Sequence, residues 1–148
     1  MPRIVLATSV PASAQRCFEL SLSVDAHTAS MSRSGERVVG GVRAGVMELG
    51  DTVTWRARHF GLPFTMTSRI TDLVAPNRFV DEQVSGPFAH WWHEHVFEQR
   101  EKTTLMTDTV EFTSPAGPIG RLVDAVILTK YMTRLLTQRN RWLVHALS

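Results

Sequence analysis

Cysteine is nearly missing from this 148-residue chain: Cys17 is the only one, so no disulfide can form within it. Cys17 stands in QRCFEL, on the apolar side of a predicted helix, with nothing in the local sequence to lower its pKa, and reads as a packed thiol rather than a nucleophile. A chain without disulfides is expected in a reducing compartment, the cytoplasm. Long apolar runs are also missing. None approaches the ~18 apolar residues that a spanning helix needs, and MPRIVLATSVPASA reads as a strand entering a helix rather than a signal peptide, so no integral membrane association is expected. Nor is there a large excess of charge. Sixteen Lys+Arg against fourteen Asp+Glu give a net charge of +2, too weak a field to argue for nucleic acid. The one local bias is C-terminal, where Arg121, Lys130, Arg134, Arg139 and Arg141 face a single acid, Asp124; it reads as a solvated helix face. No phosphate loop, nucleophile elbow or Cys/His signature occurs.

What is present is ordinary for one globular domain spanning residues 1–148, with 43% hydrophobic and 20% charged residues. RIVLATSV predicts a strand, ended by Pro11, which starts a helix over 11–21. Asp25 then caps a second short helix. The stretch SRSGERVVGG reads as exposed turns, its glycines suiting an edge strand or bulge. From Val42 to about Pro115 the pattern turns to period two, broken by turn signals at Gly50-Asp51, Gly61-Leu62-Pro63, Ala75-Pro76-Asn77, Ser85-Gly86-Pro87 and Glu101-Lys102, and predicts about six antiparallel strands. Apolar residues then recur at three and four from Ile119 through Leu122, Val123, Val126, Ile127, Met132, Leu135, Leu136, Trp142 and Leu143. They predict a helix over 118–147 opened by Pro118. The fold class is therefore α+β: a curved antiparallel sheet of about seven strands around one long C-terminal helix, with two short helices after the first strand. A sheet curled over a helix leaves more space than side chains fill, so a cavity is expected between them.

Three stretches, GDTVTWRARHFG, RFVDEQVSGPFAHWWHEHVFE and TLMTDTVEFTSPAGPIGRLVD, carry a pattern that runs GPF, W, H-x-H-x-F, M-x-D and P-x-G-x-x-G. In it the chain resembles the SRPBCC, or START-like, superfamily of helix-grip (START/Bet v 1-like) proteins, which includes polyketide cyclase/dehydrase and lipid-transfer proteins. The resemblance covers nearly the whole chain. It implies a pocket between sheet and helix that takes a hydrophobic or amphipathic small molecule, and it leaves carrier and enzyme both open.

Alternation along a strand supplies the candidate site. On HWWHEHVFEQ, the residues Trp91, His93, His95, Phe97 and Gln99 share one face, and the acids Glu94 and Glu98 lie on the other, so the histidines are expected inward. A two-residue hairpin at Glu101-Lys102 pairs Gln99 with Thr104, Phe97 with Met106, His95 with Asp108, His93 with Val110 and Trp91 with Phe112. Asp108 then orients His95 and raises its pKa. Val53, Trp55, Ala57 and His59 are expected inward on their strand. On RFVDEQV either Phe79, Asp81 and Gln83 or Val80, Glu82 and Val84 point in, because a bulge at Ser85-Gly86-Pro87 would reset the parity; the Asp81 set is preferred. Trp55, Phe64, Met66, Trp91 and Phe112 are candidates to grip an apolar ligand.

Three readings stay open for His59, His93, His95 and Asp108. They form a satisfied buried network, or they bind the polar end of an apolar ligand, or they are a metal or catalytic site. As catalysts, His93 or His95 would be the general base and Asp108 its orienting group. As metal ligands, His93 and His95 lack a third partner: Asp108 faces His95 from the next strand, and His59 is three strands away, roughly 14 Å. Neither metal nor cofactor is expected. The partner expected is a hydrophobic small molecule such as a lipid, quinone or polyketide-like compound.

Overall fold

The computed structural model describes residues 2–114 and 124–148. The expected start of the long helix at Pro118, with Ile119, Leu122 and Val123, lies outside the described residues. The elements are β1 (Arg3–Val10), α1 (Ala14–Ser21), α2 (Val24–Ser30), a 3-10 turn (Ser32–Ser34), β2 (Arg37–Gly41), β3 (Thr52–His59), β4 (Leu62–Val74), β5 (Arg78–Ser85), β6 (His90–Gln99), β7 (Thr104–Thr113), a π-helical turn (Asp124–Leu128) and α3 (Thr129–Leu147). Seven strands form one antiparallel sheet in the order β1-β7-β6-β5-β4-β3-β2. Among the described residues no helix is long and apolar enough to cross a membrane.

The helix starts differ from expectation by a few residues, because serine hydroxyls take the capping role. Ser13 accepts from the Arg16 amide and opens α1 at Ala14, so Pro11 ends the strand without starting the helix. Ser23 caps α2 through the Ala26 amide; Asp25, expected there, sits in the first turn and accepts from the Gly45 amide across a loop. One strand of the meander lies earlier than predicted. β2 forms within the stretch read as exposed turns, and, as its glycines suggest, it is an edge strand that pairs with β3 around a bulge between Val38 and Gly40.

Bulges also bend the middle of the sheet. Val84 in β5 and Thr71 in β4 fall between paired residues and have no partner of their own, and such insertions strengthen twist and curvature. The β6–β7 register is the expected one, from Gln99 opposite Thr104 to Trp91 opposite Phe112. The hairpin closes through the Arg100 amide and the Thr103 carbonyl, leaving Glu101-Lys102 as its two loop residues. α1, α2 and α3 cover the concave face. α3 buries Leu135, Leu136, Arg139, Asn140, Leu143 and Leu147, a stripe at helical spacing. Val126 and Ile127, expected on the apolar face, are exposed, because they belong to the π turn before α3 takes up its regular spacing. One apolar cluster gathers Val10, Phe18, Phe79, Phe97, Met106 and Leu143; a second gathers Ile4, Trp91, Val110, Phe112 and Leu136.

Candidate functional site: a cavity with a buried polar floor

Between the concave face and the helices lies a cavity of about 440 Å³. Its walls are apolar, including Leu22, Val24, Met31, Ile70, Leu135 and Leu136. Of the residues singled out in the sequence, Trp55, His59, Phe64, Met66, Trp91, His93 and His95 line it, and Asp108 and Phe112 do not. Phe112 is fully buried in the core around Trp91, and Asp108 is fully buried behind the two histidines. On β5 it is Phe79 and Asp81 that reach the cavity; Val80 and Glu82 do not.

His93 and His95 lie two residues apart on β6, so both point inward and their rings stack with centroids 3.7 Å apart. Phe79 stacks on the far side of His95 at 4.0 Å, and Trp91 meets His93 edge-on at 6.2 Å. The hydrogen bonds run along diagonals rather than straight across the strands. His93, opposite Asp81 on β5 and Val110 on β7, bonds through Nε2 to Asp108 Oδ1 at 2.9 Å. His95, opposite Phe79 and Asp108, bonds through Nε2 to Asp81 Oδ2 at 2.7 Å. Asp108 stands across the strands from His95 as expected, its Oδ1 3.3 Å from His95 Nδ1, but the hydrogen bond it accepts is from His93. Diagonal neighbours on a sheet are within reach of long side chains, and the lean of these rings decides the partner.

Behind the histidines stands a group that the sequence reading did not find. Arg139 on α3 is buried and donates through Nη2 to Asp108 Oδ1 at 2.5 Å, while Asn140 Nδ2 donates to Asp108 Oδ2 at 2.9 Å. Asn140 Nδ2 also reaches Thr8 Oγ1 at 3.1 Å, and its Oδ1 accepts from Arg139 Nη2 at 2.8 Å. The expectation of a solvated arginine face is therefore wrong at this position. Arg139 falls on the inward stripe with Leu135, Leu136 and Leu143, where a carboxylate waits for it.

Burial alone would raise the Asp108 carboxyl, but the Arg139 guanidinium and the two histidines hold it well below the usual carboxylate range. Burial works against the Asp81 carboxylate too, and the imidazoles of His93 and His95 pull it down to about 2. His93 moves opposite to the expectation for a histidine beside carboxylates. Burial and the neighbouring His95 outweigh the attraction of Asp108 and Asp81 and lower it to about 4, so a neutral imidazole stands there at pH 7.

His59 does not join this cluster. Three strands away on β3, it shares a 2.6 Å hydrogen bond between Nδ1 and the Tyr131 hydroxyl of α3, and burial lowers its pKa. The ring of Phe60 packs on Tyr131 at 4.5 Å. A third polar pair, His27 Nε2 and Glu36 Oε1 at 2.6 Å, lies beside Trp55, whose indole N–H donates to Ser68 Oγ at 3.2 Å. Tyr131, His27, Glu36 and Ser68 were not singled out in the sequence, and no local pattern marks them; they meet only because α2, the chain entering β2, β4 and α3 close around one space.

No protein-family model and no curated protein matches the chain. Solved structures do. A protein from Thermus thermophilus superposes with a TM-score of 0.77 at 18% identity, covering 99% of this chain and 100% of that one. A START superfamily protein from Mycobacterium smegmatis gives 0.75 at 11% identity, covering 99% of each chain. The Zhui aromatase/cyclase from a Streptomyces species gives 0.69 at 16% identity, covering 95% of this chain and 93% of that one. At such identities the likeness is one of fold.

Proposed function

The chain has the helix-grip fold of START-like proteins, and from that premise we propose that it is a carrier or sensor of a hydrophobic or amphipathic small molecule, of the lipid, quinone or polyketide-like kind. The observation that carries this reading is the cavity itself: about 440 Å³, within the size range of small-molecule sites, mostly apolar along its walls, with polar groups at Asp81, His93 and His95, at His59 and Tyr131, and at His27 and Glu36. An apolar body packs between Trp55, Phe64, Met66 and α3, and a polar head meets Asp81, His93 and His95. The proposal includes a single domain working in the cytoplasm, in keeping with the lone buried thiol of Cys17.

Gentle native mass spectrometry of the purified protein, followed by solvent extraction, tests it. A co-purifying organic molecule, retained less well by His95→Ala at unchanged fold, is the expected result. A protein that carries nothing and takes up no apolar fluorescent probe would end this reading. The second reading is a cyclase/dehydrase-type enzyme, favoured by one observation. His93 is neutral, held through Nε2 by Asp108 and open to the cavity, which is the arrangement of a general base with its orienting carboxylate. Loss of turnover of an extracted ligand in His93→Gln, with binding kept, supports it; an extracted ligand returned unchanged after long incubation opposes it.

A further inference from the structure

One buried ring nitrogen on the cavity floor, His95 Nδ1, has no hydrogen-bond partner among the described residues. Its surroundings explain why. His93 faces Asp108 Oδ1 with Nε2 at 2.9 Å and Asp81 Oδ2 with Nδ1 at 3.8 Å. His95 faces Asp81 Oδ2 with Nε2 at 2.7 Å and Asp108 Oδ1 with Nδ1 at 3.3 Å. Each ring therefore stands between the same two oxygens. A neutral imidazole has one N–H, so each can donate to one carboxylate and must turn a lone pair to the other. As arranged, His93 donates backward to Asp108 and His95 forward to Asp81, which sets the His95 Nδ1 lone pair against Asp108 Oδ1 in a space shut off from water.

Shifting the His95 proton to Nδ1 resolves the conflict behind the rings and moves it to the front. Both rings then donate to Asp108, whose charge Arg139 already balances. His93 Nδ1, His95 Nε2 and Asp81 Oδ2 are then three acceptors with no proton among them, Asp81 Oδ2 lying 3.8 Å from the first and 2.7 Å from the second, and a cation held by all three satisfies them together. We propose that Asp81, His93 and His95 form a binding site for a first-row divalent transition-metal ion such as Zn²⁺ or Fe²⁺, with Asp108 as the outer carboxylate that fixes both rings.

The geometry is close to what the ion needs. One potential ligand atom from each of the three residues lies within 4.8 Å of the other two. Donors ~2.0–2.2 Å from a common ion are roughly 3–3.5 Å apart, so shifts of about an ångström, with a turn of the two stacked rings that brings the ion into both ring planes, complete the site. Two imidazoles and a carboxylate suit these ions rather than Ca²⁺ or Mg²⁺, and a carboxylate behind a ligating histidine holds its ring and raises its basicity. Charge agrees, since two carboxylates, Asp81 and Asp108, face one guanidinium, that of Arg139. The third ligand that the sequence reading lacked is Asp81, on the neighbouring strand and one-fifth exposed towards the cavity. Three protein ligands leave a coordination position open on that side, where an oxygen of a bound molecule can enter. The site does not depend on the ligand reading above.

Protein stripped with a chelator, extracted with solvent and desalted is titrated with Co²⁺, read by visible ligand-field absorption, and with Zn²⁺, read by calorimetry. One equivalent with a visible band is expected, weakened at least a hundredfold by Asp81→Asn and about 10–100-fold by Asp108→Asn. Nitrogen NMR of the wild type with Zn²⁺ shows ligation through His93 Nδ1 and His95 Nε2, a readout that needs no variant to fold. Absence of stoichiometric binding, affinity unchanged in Asp81→Asn, or a band lost in His27→Ala instead would overturn the assignment. An organic molecule bound by metal-free protein leaves the carrier reading standing whatever the titration gives.

Discussion

Replacing Arg139 by methionine removes one charge of a fully desolvated pair. Arg139 is 6% exposed and Asp108 0%, and the guanidinium lies 2.5 Å from the carboxylate. Breaking a buried pair on one side costs about 3–5 kcal/mol, most of it the penalty of the charge left behind. Here Asp108 keeps two donors, Asn140 Nδ2 and His93 Nε2, which favours the lower end, ~3 kcal/mol. For a chain of this length that corresponds to a fall in Tm of roughly 6–12 °C. Urea unfolding at pH 7 of Arg139→Met, Asp108→Asn and the double variant measures it as a cycle. The double variant, with neither charge to bury, should be more stable than the sum of the two single losses by about 2 kcal/mol or more. A single-variant loss under about 1 kcal/mol, the value of an exposed pair, or strict additivity would refute the reasoning.

Burial holds the folded His59 below its ordinary value of 6.5, so on acidification the unfolded chain takes up its proton first and stability falls as pH drops through that value. His59→Gln should flatten the dependence of the urea midpoint between about pH 7 and 5; an unchanged slope would show that this ring titrates alike in both states. At Gly41, with φ +72°, an added Cβ would lie 2.2 Å from the Thr52 carbonyl oxygen, whereas at Gly35, with φ +64°, it would meet nothing within 4 Å. Gly41→Ala should cost well over the ~1–2 kcal/mol of left-handed backbone expected for Gly35→Ala, and should speed hydrogen exchange of the Val42 amide, which now donates to Thr52; equal losses in the two variants would contradict the clash.

Much of β6 and β7 was legible because two local rules suffice there. Alternation selects the inward face, and a two-residue loop leaves one register, so Trp91, His93, His95 and Phe97 and their opposite residues follow without tertiary information. What alternation cannot give is the direction in which a ring leans, and that is why Asp108, which does stand beside His95, is expected to hold that ring when its hydrogen bond goes to His93. Arg139 misleads because an arginine next to apolar residues on a helix looks the same whether it borders water or meets a buried carboxylate. The difference lies in how α3 docks against β7, which no short window contains. Around β2 the stretch SRSGERVVGG as a whole reads as exposed turns, while its glycines suit the bulged edge strand that pairing to β3 makes of it. The serine caps were legible in principle, since Ser13 and Ser23 each stand just before a helix, but Pro11 and Asp25 offered equally good local alternatives.

The knot of Thr8, Asp108, Arg139 and Asn140 joins parts of the chain that leave the ribosome at very different times. A nascent polypeptide with all its strands but not yet α3 would have to seal Asp108 beneath its own residues with no cation to meet it, at a penalty of several kcal/mol. The sheet would therefore stay ajar until α3 arrives, and that helix acts as a latch: a product truncated before it should fail to shut and be left open for proteolysis.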